Sequence, residues 1–170
     1  MKISKINALY EQIRAIPADE MFYKSDIESI IRLSEILPKG VSVFNIGTYF
    51  GRSAVLFALT TGWTVLAIDN NEWTQTRCAP YLPEALKDRI KYEIGDSKTY
   101  NLTQNYDVVW IDWDHTYEMC KNDIERFADK ANIMVCGHDY NRDFPGVIKA
   151  VDEIYWDRAC IAGNIWYVLK

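Results

Sequence analysis

From residue 41 onward, short apolar runs alternate with longer stretches whose apolar residues recur at helical spacing, and this rhythm limits the possible folds more than any other feature. The runs occupy residues 41–46 (VSVFNI), 64–68 (TVLAI), 90–94 (IKYEI), 107–111 (DVVWI) and 133–136 (IMVC). VLAI, VVWI and IMV are apolar on both faces, the pattern of parallel strands covered by helices on either side. IKYEI alternates and suits a sheet edge. Between the later runs, Cys120, Ile124, Phe127 and Ala131 form one stripe with a period near 3.6, and Val147, Val151, Ile154 and Tyr155 form another, which predicts two helices. Strand and helix in alternation make a doubly wound α/β sheet. The end of the chain differs. Residues 158–162 and 165–169 are strand-like and joined by Gly163-Asn164, a two-residue hairpin signal that makes the last strand antiparallel to its predecessor.

Two helices are expected ahead of the sheet. Ile3, Ile6, Leu9 and Ile13 recur at helical intervals, and a turn-rich stretch at residues 17–24 follows. Ser25 and Glu28 have the spacing of a capping box ahead of Ile27, Ile30, Ile31 and Leu37, with Pro38-Lys39-Gly40 as the stop. Residues 1–40 therefore read as N-terminal helices and 41–170 as the sheet and its helices, together one domain. A chain of 170 residues buries roughly 70% of its unfolded surface, enough for a core without metal or disulfide staples. The net charge of −5 comes without a basic run, which argues against general nucleic-acid binding. No stretch reaches the ~18 to 20 apolar residues of a membrane span. Cys78, Cys120, Cys136 and Cys160 lack C-x-x-C spacing and read as reduced, buried thiols of a cytoplasmic protein.

Ligands of an open parallel sheet bind beyond the carboxyl ends of its strands, so those ends hold the candidate site. After the first run comes Asn45-Ile46-Gly47-Thr48-Tyr49-Phe50-Gly51-Arg52-Ser53. Gly47 and Gly51 let the backbone turn and approach a ligand, and the helix that follows presents its N-terminus to an anionic group. The G-x-x-x-G spacing is neither the dinucleotide fingerprint nor a P-loop, and by itself it also fits a purely steric turn. Asp69 closes the second run about twenty residues later, where an acid can accept both hydroxyls of a ribose. Gly95-Asp96-Ser97 follows the third, able to meet an adenine edge or simply to form a turn. The densest cluster is Asp112-Trp113-Asp114-His115 after the fourth run, with Gly137-His138-Asp139-Tyr140 after the fifth. Neighbouring strands lie about 4.8 Å apart, so if these two pair, Asp112 and Asp139 can share a cation, for which oxygen ligands suit Mg, Ca or Mn rather than zinc. Both histidines of the chain, His115 and His138, fall at these strand ends. A lone histidine is most often structural, but two placed here point toward function.

In these residues the chain resembles the class I S-adenosylmethionine-dependent methyltransferases. The subgroup most like it ends its fourth strand in I-D-G-D-H-x-Y and its fifth in G-H-D-Y, and includes sugar O-methyltransferases. The likeness covers about residues 22–170. It implies a Rossmann-like, mostly parallel seven-stranded sheet with an antiparallel last strand and helices on both faces. It implies S-adenosylmethionine as cofactor, with Gly47, Gly51 and Ser53 in the loop beside the methionine part, Asp69 at the ribose, Asp96 and Ser97 at the adenine, and Asn45, Thr48 and Asp112 as further cofactor-binding residues. By the same likeness, Asp112 and Asp139 are ligands of Mg or another divalent cation, and His115, supported by Asp112, is the base. Tyr117, Asp123 and residues 145–151 match as scaffold. Three departures stand out: Asn45 replaces the usual acid, Trp113 replaces the glycine between the two aspartates, and no long insertion supplies a lid.

The reaction implied is an in-line methyl transfer, in which alignment and exclusion of water are the main tasks. Two carboxylates and a histidine suit an acceptor hydroxyl, on a small sugar or phenol, that must lose a proton. An amide nitrogen calls for an Asn-Pro-Pro-Tyr type of turn, to which Asp139-Tyr140-Asn141 is the nearest fragment. Trp113, Tyr117 and Tyr140 are expected to form a flat wall for the acceptor ring. Two rivals remain: a catalytically silent cofactor-binding module, for which Asn45 and Trp113 speak, and a dinucleotide-dependent oxidoreductase, against which the loop spacing speaks. Monomer and homo-oligomer are both open.

Overall fold

The computed structural model describes residues 3–16, 23–72, 82 and 84–170; residues 17–22 of the expected loop, and Cys78, lie outside them. Strands β1 (Ser42–Ile46), β2 (Thr64–Asp69), β3 (Ile90–Ile94), β4 (Tyr106–Ile111), β5 (Ala131–Gly137), β6 (Cys160–Ala162) and β7 (Ile165–Leu169) form one sheet in the order β3-β2-β1-β4-β5-β7-β6. The first five are parallel, and β7 runs antiparallel to both β5 and β6. The chain winds outward from β1 to β3, returns to β4 and winds the other way. The switch point between β1 and β4 is where such sheets leave a crevice.

Because side chains alternate along a strand, consecutive residues of a doubly covered sheet enter different cores. Val43, Val108, Trp110, Met134 and Cys136 pack under α1 (Ile3–Arg14), α2 (Lys24–Glu35) and α3 (Arg52–Thr61). Phe44, Ile46, Val109, Ile111 and Val135 face α5 (Tyr117–Phe127) and α6 (Pro145–Tyr155). The short α4 (Glu84–Lys87) leads into β3, which is the sheet edge its alternation predicted. Gly163 and Asn164 form the two-residue turn between Ala162 and Ile165, with Gly163 at φ +65.

Some local readings shift. The Ser25/Glu28 box is not the start of α2: the helix begins at Lys24, and the Tyr23 amide donates to Asp26 Oδ2 at 2.7 Å, so the reciprocal bond is made two residues earlier. Ala131 opens β5 instead of ending α5. Cys120 and Cys136 are buried and free, but Cys160 is exposed on the edge strand β6. No helix among the described residues is long and apolar enough to cross a membrane.

Gly47 is the tightest point. Its φ is +77, and a Cβ there would overlap the backbone of Asp112 and Trp113, so the loops after β1 and β4 touch through a position that admits only hydrogen. Gly40 has φ +74 with nothing within 4 Å and isolates the backbone penalty. Gly40→Ala should cost about 1 kcal/mol, whereas Gly47→Ala should cost at least about 3 kcal/mol, as read by urea unfolding; equal losses would show that the close approach contributes nothing.

Candidate active site

A cavity of about 390 Å³ opens at the carboxyl edge of the sheet, within the range of about 300–1,000 Å³ usual for small-ligand sites. Its wall brings together Gly47, Thr48, Ser53, Asp69, Asp112, His115 and Asp139 from the sequence reading, joined by Tyr49, Phe50, Arg52, Trp113 and His138. Asp96 and Ser97 do not line it. Asp96 is exposed and accepts the Lys98 amide at 2.8 Å, while Ser97 turns inward, fully buried, beside Asp123 of α5. Of the expected aromatic wall only Trp113 is present. The Tyr117 hydroxyl donates to Glu153 at 2.6 Å and that of Tyr140 to Asp152 at 2.7 Å, which ties both rings to α6; Tyr49 and Phe50 take their place.

Asp69 does more than end a strand. Its Oδ2 accepts the amides of Thr48 at 2.9 Å and Tyr49 at 2.7 Å, and its Oδ1 accepts that of Asn71 at 3.0 Å. The carboxylate thus holds the glycine loop in shape, with Tyr49 in the left-handed region at φ 46. Of the roughly four acceptor positions on a carboxylate, one is left. Asn45 lies between Phe44 and Ile46, so strand alternation directs it under α3, and it stands behind the cavity wall without lining it. There its Nδ2 donates to Thr48 Oγ1 at 3.3 Å and Ser53 Oγ at 3.1 Å, and its Oδ1 is buried with no hydrogen-bond partner. Arg52 reaches the end of α1, donating to the Ile16 carbonyl at 2.8 Å.

The charged corner gathers more than the sequence announced. β4 and β5 are neighbours, as the shared-cation reading required. His115 Nε2 lies 2.8 Å from Asp139 Oδ2 and 3.6 Å from Asp112 Oδ1. His138 Nδ1 lies 3.3 Å from Asp139 Oδ1 and 4.0 Å from Asp112 Oδ1, and its Nε2 faces Asp26 Oδ1 at 3.4 Å. Asp139 sits at φ 58, a conformation that aspartate tolerates better than most residues and that turns its carboxylate into the corner. Asp112, His138 and Asp139 each offer a ligand atom, all within 4.8 Å of one another. Two oxygens and an imidazole nitrogen on one side of a pocket fit a divalent cation. The two aspartates are strand-end residues that the sequence marks; packing adds His138 beside them as a third donor and brings Asp26 to the corner from α2. The signal for Asp26 was there: it shares a helical face with Ser29 and Ile30, a charge on an otherwise buried stripe.

Burial works against charge on His115, but the Asp112 and Asp139 carboxylates outweigh it and raise its pKa to about 9. His138, also opposed by burial, is raised to about 11 by Asp139, Asp26 and Asp112. Burial pushes Asp139 up, yet the two imidazoles overcome it and hold the group well below the usual carboxylate range. Burial dominates at Asp112 and raises it. At neutral pH His115 is therefore an ion-pair partner of the two carboxylates and holds its proton.

A mostly parallel sheet in this strand order, with a glycine loop after β1, an acid after β2 and an acid–imidazole corner after β4 and β5, is the Rossmann-like architecture of class I methyltransferases. Residues 44–140 match the sequence profile of a methyltransferase domain, and the chain belongs to that family. No curated protein matches the sequence. Among solved structures, it is similar to the cofactor-bound protein Rv0187 from MTB, at 14% identity over 99% of this chain and 90% of that one, with a TM-score of 0.71. A SAM-dependent O-methyltransferase from Thermotoga maritima aligns at 13% identity over 95% and 71% of the two chains, TM-score 0.73. An O-methyltransferase from Bacillus cereus in complex with SAH aligns at 15% over 100% and 92%, TM-score 0.63. At such identities the likeness shows the fold.

The histidine shifts set a pH dependence. A folded pKa above the unfolded value near 6.5 stabilises fully below 6.5 and is lost as pH rises through about 9 for His115 and about 11 for His138. Asp139, held below its ordinary 3.8, contributes above that value and loses its contribution as pH falls beneath it. Urea unfolding in chelator should show stability declining from pH 6.5 upward, with His115→Gln removing the part lost by about pH 9. A wild-type profile flat from 6.5 to 10, or an unchanged decline in the variant, would contradict the assignment.

Proposed function

We propose that the chain is an S-adenosylmethionine-dependent methyltransferase that acts on a hydroxyl oxygen of a small acceptor, a sugar or a phenol, with the help of a divalent cation. One observation carries this reading: the glycine loop, Asp69 and the acid–imidazole corner line a single cavity, so cofactor-type and proton-handling groups meet in one place. The sulfonium of the cofactor supplies an electrophilic methyl group, and a cation held by Asp112, His138 and Asp139 supplies Lewis acidity toward an oxygen.

The chain's own residues supply position. The loop from Gly47 to Ser53 brings backbone against the cofactor, and Asp69 accepts from the ribose through its remaining acceptor position, or through more if the Thr48 and Tyr49 amides let go. Tyr49, Phe50 and Trp113 line the cavity with apolar surface that excludes water and stacks a ring. His115 takes the acceptor's proton only when Asp112 and Asp139 no longer hold its own, so its two partners must be engaged elsewhere before it serves as a base.

A second reading, a catalytically silent binding module, is favoured by Asn45, which is bound to Thr48 and Ser53 under α3 and presents no acid to the cofactor's ammonium. Product analysis separates the two. Hydroxylated sugars and catechols, with peptides and nucleosides as controls, are incubated with S-adenosylmethionine and Mn²⁺ and analysed by mass spectrometry. O-methylated product supports the proposal, N-methylation alone overturns the acceptor assignment, and cofactor binding without any product favours the silent module. Asp69→Asn should weaken binding of the demethylated cofactor about tenfold, about 1.4 kcal/mol, by calorimetry; unchanged affinity would remove Asp69 from the site.

A further inference from the structure

We infer that Asp26 is the positioning residue of the metal centre, placing a carboxylate 3.4 Å from Nε2 of His138 so that the ring keeps its proton there and presents Nδ1 to the cation as a ligand. The inference rests on the metal reading above. An imidazole nitrogen binds a metal only without its proton, so a ligating Nδ1 requires the proton on Nε2, and what faces Nε2 decides whether that tautomer is favoured. A carboxylate there fixes the tautomer and ring orientation and makes the ligand more basic.

The geometry is assembled from three distant parts of the chain. Strand alternation on β5 puts Met134 and Cys136 in the core under α1 to α3, and His138, whose amide continues the ladder by donating to the Ile111 carbonyl at 3.2 Å, follows the same parity. Its ring stacks on Trp110 at 6.1 Å between centroids, which limits rotation. Asp26 meets it from α2 with 0% of its surface exposed. Asp26 is anchored in turn: Oδ2 accepts the Tyr23 amide at 2.7 Å, and Oδ1 also accepts Asn164 Nδ2 from the β6–β7 turn at 3.5 Å. Capping α2 needs one oxygen only. The second is directed at a histidine whose other nitrogen faces two carboxylates.

The third ligand also changes the choice of ion. Two carboxylates alone suit Mg²⁺ or Ca²⁺, but an imidazole nitrogen shifts preference toward Mn²⁺ and later first-row ions.

Asp26→Asn leaves one carbonyl oxygen where three N–H groups, from Tyr23, Asn164 and His138, approach the two carboxylate oxygens from different sides, so either the cap or the histidine loses its partner. Calorimetric titration of wild type and variant with Mn²⁺ should show binding weakened about 10–100-fold in the variant, and wild type should bind Mn²⁺ more tightly than Mg²⁺. If the variant does not fold, imidazole ¹⁵N–¹H spectra of the Zn²⁺-loaded wild type decide alone; with only two histidines in the chain, His138 should show its proton on Nε2. Equal Mn²⁺ affinity in a folded variant, or a proton on Nδ1, overturns the role of Asp26 and leaves the metal site standing. Absence of Mn²⁺ binding by wild type overturns both.

Discussion

The parallel ladder does not stop where the strands do, and the site depends on its continuation. One residue beyond β1, the Gly47 amide donates to Ile68 at 3.1 Å; beyond β4, Asp112 donates to Ile46 at 2.9 Å; beyond β5, His138 donates to Ile111 at 3.2 Å. These bonds carry the sheet's register into three loops, so their side chains stand at fixed heights and parities. Gly47 makes this possible by having no Cβ where the β1 and β4 loops touch. On the other side, Gly146 at the start of α6 leaves the same room for the backbone of His115 and Tyr117. Rigid backbone on both sides suits a centre whose parts must hold their geometry without substrate.

On that frame, the corner is a problem in charge. Asp26, Asp112 and Asp139 converge on two imidazoles, and such a group is tolerable in a low-dielectric site only when each charge has a partner. Without a cation, the histidines keep protons they would ordinarily shed above neutrality, and those protons hold the acids together. A divalent ion offers the same compensation in another form and frees imidazole nitrogen to act as ligand or base. Under the proposed function, the same arrangement leaves His115 basic once an ion engages its two carboxylates.

Sequence exposed the parts of this that are local. Runs apolar on both faces, the alternating edge strand β3 and the Gly163-Asn164 turn each encode their place through a period or a backbone preference within a few residues. Gly47, Asp69, Asp112 and Asp139 were legible because a strand end is a position that topology uses. What escaped was set by tertiary packing. Asp26 looks like an ordinary first-turn acid until α2 is laid over β5. Ser97 belongs to a turn motif whose direction sequence does not specify, and it points at Asp123. Tyr117 and Tyr140 are near the site in the chain, yet hydrogen bonds to Glu153 and Asp152 commit their hydroxyls to α6.

The central claim, one cavity that serves cofactor and cation together, is tested most directly by a crystal structure of the protein soaked with S-adenosylhomocysteine and Mn²⁺, collected at a wavelength where manganese scatters anomalously. The account predicts an anomalous peak among Asp112, His138 and Asp139, with the nucleoside along the Gly47–Ser53 loop and its ribose at Asp69. A cofactor bound elsewhere, or an occupied cofactor site with no peak at the three ligands, would contradict it.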